Sequence, residues 1–162
     1  RLGVEPIRAL EHEVGQLALK LLIAGLCITP LRRFAGVNLM RYRRAIGLVA
    51  FFYVALHMLV WLVLDVQIPA QIKRPYITVG MAAFALLVPL AITSNGASIR
   101  KLGGRAWRRL HRLAYAAALL GALHFVMLVK GFQIEPLIYM GIVVTLLALR
   151  LPWPRAARQK AT

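Results

Sequence analysis

The chain has 162 residues, 60% of them hydrophobic, and a mean hydropathy of +0.71. A water-soluble domain of this size cannot hide so much apolar surface, which excludes an ordinary soluble fold. With 21 Lys+Arg against 5 Asp+Glu the net charge is +16, a balance that suits nucleic acid or an anionic surface, but at this hydropathy points to a membrane protein.

The chain opens on Arg1 with no signal-like segment, so a piece of a longer product is expected. A membrane-crossing helix needs roughly 20 mostly apolar residues, and five stretches approach that length. Residues 14–31 (VGQLALKLLIAGLCITPL) form the first. His12, just ahead of it in "LEHEVGQ", reads as a solvated interface histidine. The single Cys27 excludes an internal disulfide and reads as a small packed hydrophobe. Residues 45–66 (AIGLVAFFYVALHMLVWLVLDV) form the clearest span and contain His57. Residues 76–92 (YITVGMAAFALLVPLAI) follow Pro75, which suits a first helical turn, and Pro89 is expected to bend their far end. Residues 110–129 carry both His111 and His124. The last span, 137–151 (LIYMGIVVTLLALRL), is short and crosses with little tilt if Arg150 snorkels to the interface. Trp61, Trp107 and Trp153 fall near expected interfaces. Charges, glycines and turn residues gather in the connections, and there is neither internal repeat nor linker. Residues 1–162 therefore read as one all-α membrane domain, a bundle of five transmembrane helices.

Charge distribution sets an orientation. If the span ends alternate between two sides, one side collects Arg32, Arg33, Arg41, Arg43, Arg44, Arg100, Lys101, Arg105, Arg108, Arg109, Arg112, Arg150, Arg155, Arg158 and Lys160, with no acid. All five acids, Glu5, Glu11, Glu13, Asp65 and Glu135, lie on the other. Basic short loops mark the cytoplasmic side, so the start of the chain is expected outside and the basic tail inside. Nucleic acid would need these arginines beside aromatics on a solvated surface, whereas they bracket lipid-length segments.

Ionisable residues inside spans point to function, because lipid offers them no hydrogen-bond partner. At 1.5 Å per residue His57 lies roughly 18 Å from the cytoplasmic start of its span and His124 roughly 22 Å from the start of its own, so the two share a depth. Two neutral imidazoles at one level on parallel helices can face each other across a planar metal cofactor. Haem suits that arrangement. Zinc or a di-iron centre would want three or four close ligands, often carboxylates, and no span has an interior Asp or Glu. His111 stands near the cytoplasmic entrance, roughly 20 Å of helix from His124 and about 140° around it. Thirteen residues before His57 stands Arg44, so the same two helices offer no second histidine pair. A haem at His111 would need another sixth ligand.

The strings "TPLRR" (29–33), "RRAIGLVAFFYVALH" (43–57), "KRPYITVG" (73–80), "LAITSNGASIRKLGGRAWRRLHRLAY" (90–115) and "HFVMLVK" (124–130) resemble the MsrQ family. That family comprises haem-binding membrane subunits of bacterial periplasmic methionine-sulfoxide reductase systems, and is akin to ferric-reductase and NADPH-oxidase transmembrane domains. The resemblance covers about residues 2–151. It implies a bacterial inner-membrane electron carrier with haem b, one or two copies, and an association with flavin mononucleotide (FMN). Electrons would pass from quinone or a cytoplasmic flavin reductase to a periplasmic molybdenum-containing partner, MsrP, which reduces methionine sulfoxide in proteins. It maps the haem ligands onto His57, His111 and His124, and implies one further N-terminal helix.

Beside Gly103 and Gly104, the residues Arg105, Arg108 and Arg109 could hold a flavin phosphate or a haem propionate, although anionic lipid favours the same side chains. With no nucleophile, carboxylate pair or dinucleotide motif, both the substrate chemistry and the electron donor are expected on other chains. The rivals are a self-sufficient ferric or oxygen reductase, which would carry a fused nicotinamide domain, a histidine-lined proton-coupled transporter, and a cofactor-free structural subunit.

Overall fold

Long runs of Leu, Ala, Val and Ile leave a backbone in an apolar medium one local way to pair every N–H and C=O, the α-helix. The computed structural model describes residues 6–64, 73–129 and 133–150, which contain helices and turns and no strand. Helix α1 is Pro6–Phe34, followed by a 3-10 turn at Met40–Tyr42 and α2 at Arg43–Leu64. Then come α3 (Pro75–Ile92), two short helices α4 (Gly96–Leu102) and α5 (Gly104–Leu110), α6 (Leu113–Leu128) and α7 (Ile134–Ala148).

The first four expected spans appear with altered ends. Helix α1 extends well beyond 14–31, because Pro6 stands where a missing N–H costs nothing and the chain continues through Pro30 to Gly36. Gly36, at φ +70°, ends it in a left-handed conformation open to a residue without Cβ. The stretch expected as one helix from 110 breaks at His111–Arg112, so Gly104–Leu128 is two helices joined by a turn. Gly103, at φ +77°, provides the corner between α4 and α5. Among the described residues four segments, Pro6–Phe34, Met40–Leu64, Pro75–Ile92 and Gly104–Leu128, are long and apolar enough to cross a membrane. The fifth expected span is the 15-residue α7, about 22 Å long against a hydrocarbon core of about 30 Å, so it is a shorter apolar helix.

Helices α1, α2, α3 and α6 close a ring in which α1 lies along α2, α2 against α3, α3 along α6 and α6 against α1, while α7 covers the α6–α1 seam. This sets α2 and α6 diagonally across from each other. Ala117, Ala118 and Ala122 of α6 are fully buried, and their small size lets α6 run close to its neighbours. Leu19 and Leu26 of α1, Phe125 of α6 and Val143 of α7 pack on one side of α6, and Leu87 and Leu90 of α3 on the other. Phe52, Leu59, Leu62 and Val63 of α2 face outward, as expected of a surface made for lipid.

Polar side chains finish the helix ends. Thr93 and Ser94 donate their hydroxyls to the Pro89 and Leu90 carbonyls, both at 2.6 Å, and Asn95 caps α4 by accepting from the Ser98 N–H at 2.7 Å. Arg150 does not turn outward. Its guanidinium donates to the Tyr115 hydroxyl at 2.8 Å and to the Leu26 carbonyl at 2.5 Å, and stacks over the Tyr115 ring. Leu26 is the residue four before Pro30, so Arg150 gives its carbonyl a donor where Pro30 has no N–H.

Candidate functional site

His57 comes from α2 and His124 from α6, the diagonal pair of the ring. Their imidazole centres lie 6.3 Å apart with the planes at 77°. The common depth expected from counting residues is therefore met by a direct meeting of the rings. His57 donates from Nδ1 to the Glu11 carbonyl of α1 at 2.9 Å, and His124 donates from Nδ1 to the Tyr76 carbonyl of α3 at 2.7 Å. A carbonyl only accepts, so Nδ1 carries the proton in both rings and Nε2 keeps the lone pair. Each ring also rests on a glycine of the same neighbouring helix, Gly15 under His57 and Gly80 under His124. The Tyr76 ring flanks His124 at 5.9 Å. One turn beyond His57, Trp61 holds a buried Nε1–H without a hydrogen-bond partner among the described residues.

His111 is elsewhere. It sits in the turn between α5 and α6, thirteen residues before His124. Its Nε2 lies 3.1 Å from the Thr93 hydroxyl, and its ring stacks on Trp107 at 3.8 Å. Thr93 already donates to Pro89, so it accepts from His111, which puts the proton on Nε2 and the lone pair on Nδ1. Trp107 in turn donates its indole N–H to the Thr93 carbonyl at 2.8 Å. His111 is thus tied to the end of α3 by the opposite nitrogen from the other two.

Arg105, Arg108 and Arg109 are all exposed. Arg105 and Arg109 border an open depression of about 350 Å³ with Leu102, Gly103, Gly104 and Ala106, and Arg108 lies outside it. His12 is exposed, as expected, with its ring 5.5 Å from Phe125 and its Nε2 3.1 Å from the Gln16 amide. Among the described residues no three His, Cys, Asp or Glu side chains converge on one point. What the sequence reading missed was backbone and small residues: the Glu11 and Tyr76 carbonyls, Gly15, Gly80, and the Thr93 hydroxyl. The only signal for the glycines was their presence inside apolar helices, where Gly is unfavourable unless something needs the space.

Residues 13–122 match the family model described as ferric reductase like transmembrane component, which defines the class as a helical redox-type membrane domain. Among curated relatives, a protein of Brucella anthropi is 47% identical over 98% of this chain and 74% of its own length. One of Brucella ovis is 46% identical over 99% and 75%. Both are named protein-methionine-sulfoxide reductase heme-binding subunit MsrQ. The chain belongs to the MsrQ family within the ferric-reductase-like transmembrane class.

Proposed function

We propose that residues 1–162 form one haem-binding domain, an electron-transfer subunit of a membrane reductase, in which His57 and His124 would hold the iron of a b-type haem. The observation that carries this reading is the meeting of two imidazoles from opposite helices, each with Nδ1 engaged and Nε2 left as the basic nitrogen. Metal–imidazole bonds are about 2 Å long, so two rings that would hold one ion between them must stand close together, as the 6.3 Å between these ring centres allows. The residues present fit the group. An edge-to-face aromatic pair also falls at this distance, and the engaged Nδ1 atoms favour the ligand reading.

When bound, haem would supply one-electron exchange with its potential tuned by axial ligands and burial. The chain's own part is to hold the ligands. The Glu11 and Tyr76 carbonyls fix each tautomer and raise the basicity of Nε2, the usual role of groups behind a metal-bound histidine. The apolar ring of α1, α2, α3 and α6 keeps water from the histidines. His111 is proposed as the ligand of a separate, second haem, for which its Nε2 would have to leave Thr93. The names of the relatives support haem binding and a methionine-sulfoxide reductase system. From that likeness we propose a molybdenum-containing MsrP-type catalytic partner on the histidine side. The donor, quinone or a flavin reductase, would act at the basic side, where Arg105 and Arg109 are the proposed contacts for a flavin phosphate or propionate. The arginine asymmetry supports a cytoplasmic basic end in the bacterial inner membrane.

The test is the absorption spectrum of the detergent-purified protein, oxidised and dithionite-reduced. Sharp low-spin b-type bands are expected, and they disappear in His57→Ala and in His124→Ala. If both variants keep the wild-type spectrum, the pairing is wrong.

A further inference from the structure

The two histidines are held by the same device built twice. His57 on α2 reaches the carbonyl of Glu11 and lies over Gly15, and His124 on α6 reaches the carbonyl of Tyr76 and lies over Gly80. In both cases the glycine stands four residues after the carbonyl. That carbonyl is the one the glycine's own N–H bonds in an α-helix, so the imidazole shares an engaged oxygen through its second lone pair. Sharing it requires the ring to lie almost on the helix backbone. A Cβ at Gly15 would stand 3.0 Å from Nδ1 and from Cε1 of His57, and one at Gly80 would stand 2.8 Å from Nδ1 and 3.0 Å from Cε1 of His124. The remaining glycines differ. Gly25 and Gly121 meet ordinary apolar neighbours at 3.8 and 3.9 Å, and Gly47 and Gly141 face open space. The sequence separations of the two carbonyl–histidine pairs, 46 and 48, are also nearly equal.

We infer that α1–α2 and α3–α6 are pseudo-equivalent hairpins, and that Gly15 and Gly80 are positioning residues, each a notch that fixes the height and tautomer of one imidazole. This rests on the haem reading for its consequence but not for its geometry. Alanine in either notch drives the ring off the shared carbonyl and shifts the imidazole from its position beside the other ring. Gly80 is the tighter notch, so its substitution carries the larger effect.

The test uses the whole chain in detergent, with Gly15→Ala, Gly80→Ala and, as the open-space control, Gly47→Ala. The readouts are haem per protein, the low-spin to high-spin ratio and the response to added imidazole. Gly80→Ala is expected to lose most of its low-spin signal, Gly15→Ala a smaller share and Gly47→Ala none, and free imidazole should restore the low-spin form of Gly80→Ala. Thermal unfolding of the haem-free protein supplies a second measurement. The loss of stability caused by Gly80→Ala should vanish when His124→Gly removes the ring it collides with. The inference is overturned if both notch variants match Gly47→Ala in spectrum, or if Gly80→Ala is equally destabilising with and without the His124 ring. A wild-type protein without haem bands would instead overturn the haem reading, while the unfolding comparison would still decide the notch.

Discussion

The two ends of the bundle treat histidine in opposite ways. At one end two rings give up Nδ1 to backbone carbonyls and keep Nε2, the nitrogen that projects furthest from the side chain, directed away from its own anchor. At the other, His111 gives Nε2 to the Thr93 hydroxyl and lies flat against Trp107. The residue type is the same in both places, and the partner of each ring decides which nitrogen remains. A ligand is made by what holds the imidazole from behind, not by the imidazole alone. The carbonyl anchors are also the more rigid kind, since a helix backbone has no rotamer to change, whereas a threonine hydroxyl can rotate.

That contrast can be broken experimentally. The largest effect is expected for His57→Ala or His124→Ala, each of which should abolish low-spin haem, read as bands lost from the reduced spectrum and haem lost per protein. Next is Arg150→Ala at the basic end. It removes charge-assisted bonds to Tyr115 and Leu26, should lower stability by about 1.5–3 kcal/mol per bond lost, and should depress the melting temperature in detergent. Pro30→Ala returns an N–H to the Leu26 carbonyl, so the double variant should lose less than Arg150→Ala alone, a coupling measurable by a double-mutant cycle. Thr93→Val should cost about 1 kcal/mol through the His111 bond and leave the His57–His124 signal intact. A loss of that signal would mean the two ends are not independent. The smallest effect is expected for Arg105→Ala with Arg109→Ala, exposed side chains whose removal should leave spectrum and melting unchanged and weaken only anion binding, read by titration with FMN.

Much of the fold was legible because hydropathy and length suffice to find helices in lipid. The starts of α2 and α3 fall within two residues of the apolar runs. The meeting of His57 and His124 was legible from residue counting, since both helices are entered from the same end. The break at His111–Arg112 was not, because neither Pro nor Gly stands at it to mark the end of a helix. That turn also removes the basis for a 140° offset between His111 and His124, which assumed one unbroken helix. The doubled anchor was invisible for a different reason. Its acceptors are main-chain oxygens, which no sequence spells, and its glycines gain meaning only from a ring more than forty residues away. The inward turn of Arg150 was missed because snorkelling is the default for a terminal arginine, and its inward acceptors, the Tyr115 hydroxyl and the Leu26 carbonyl that Pro30 leaves unmet, lie on other helices.

That last contact carries a consequence for biogenesis. Helices enter a bilayer in the order they are synthesised, and the Leu26 oxygen receives its arginine from a residue 124 positions later. An unmet backbone group in hydrocarbon costs several kcal/mol. Helix α1 is therefore completed only by the residues that follow α7, and a product cut short before residue 150 would leave the Leu26 carbonyl without the arginine that meets it.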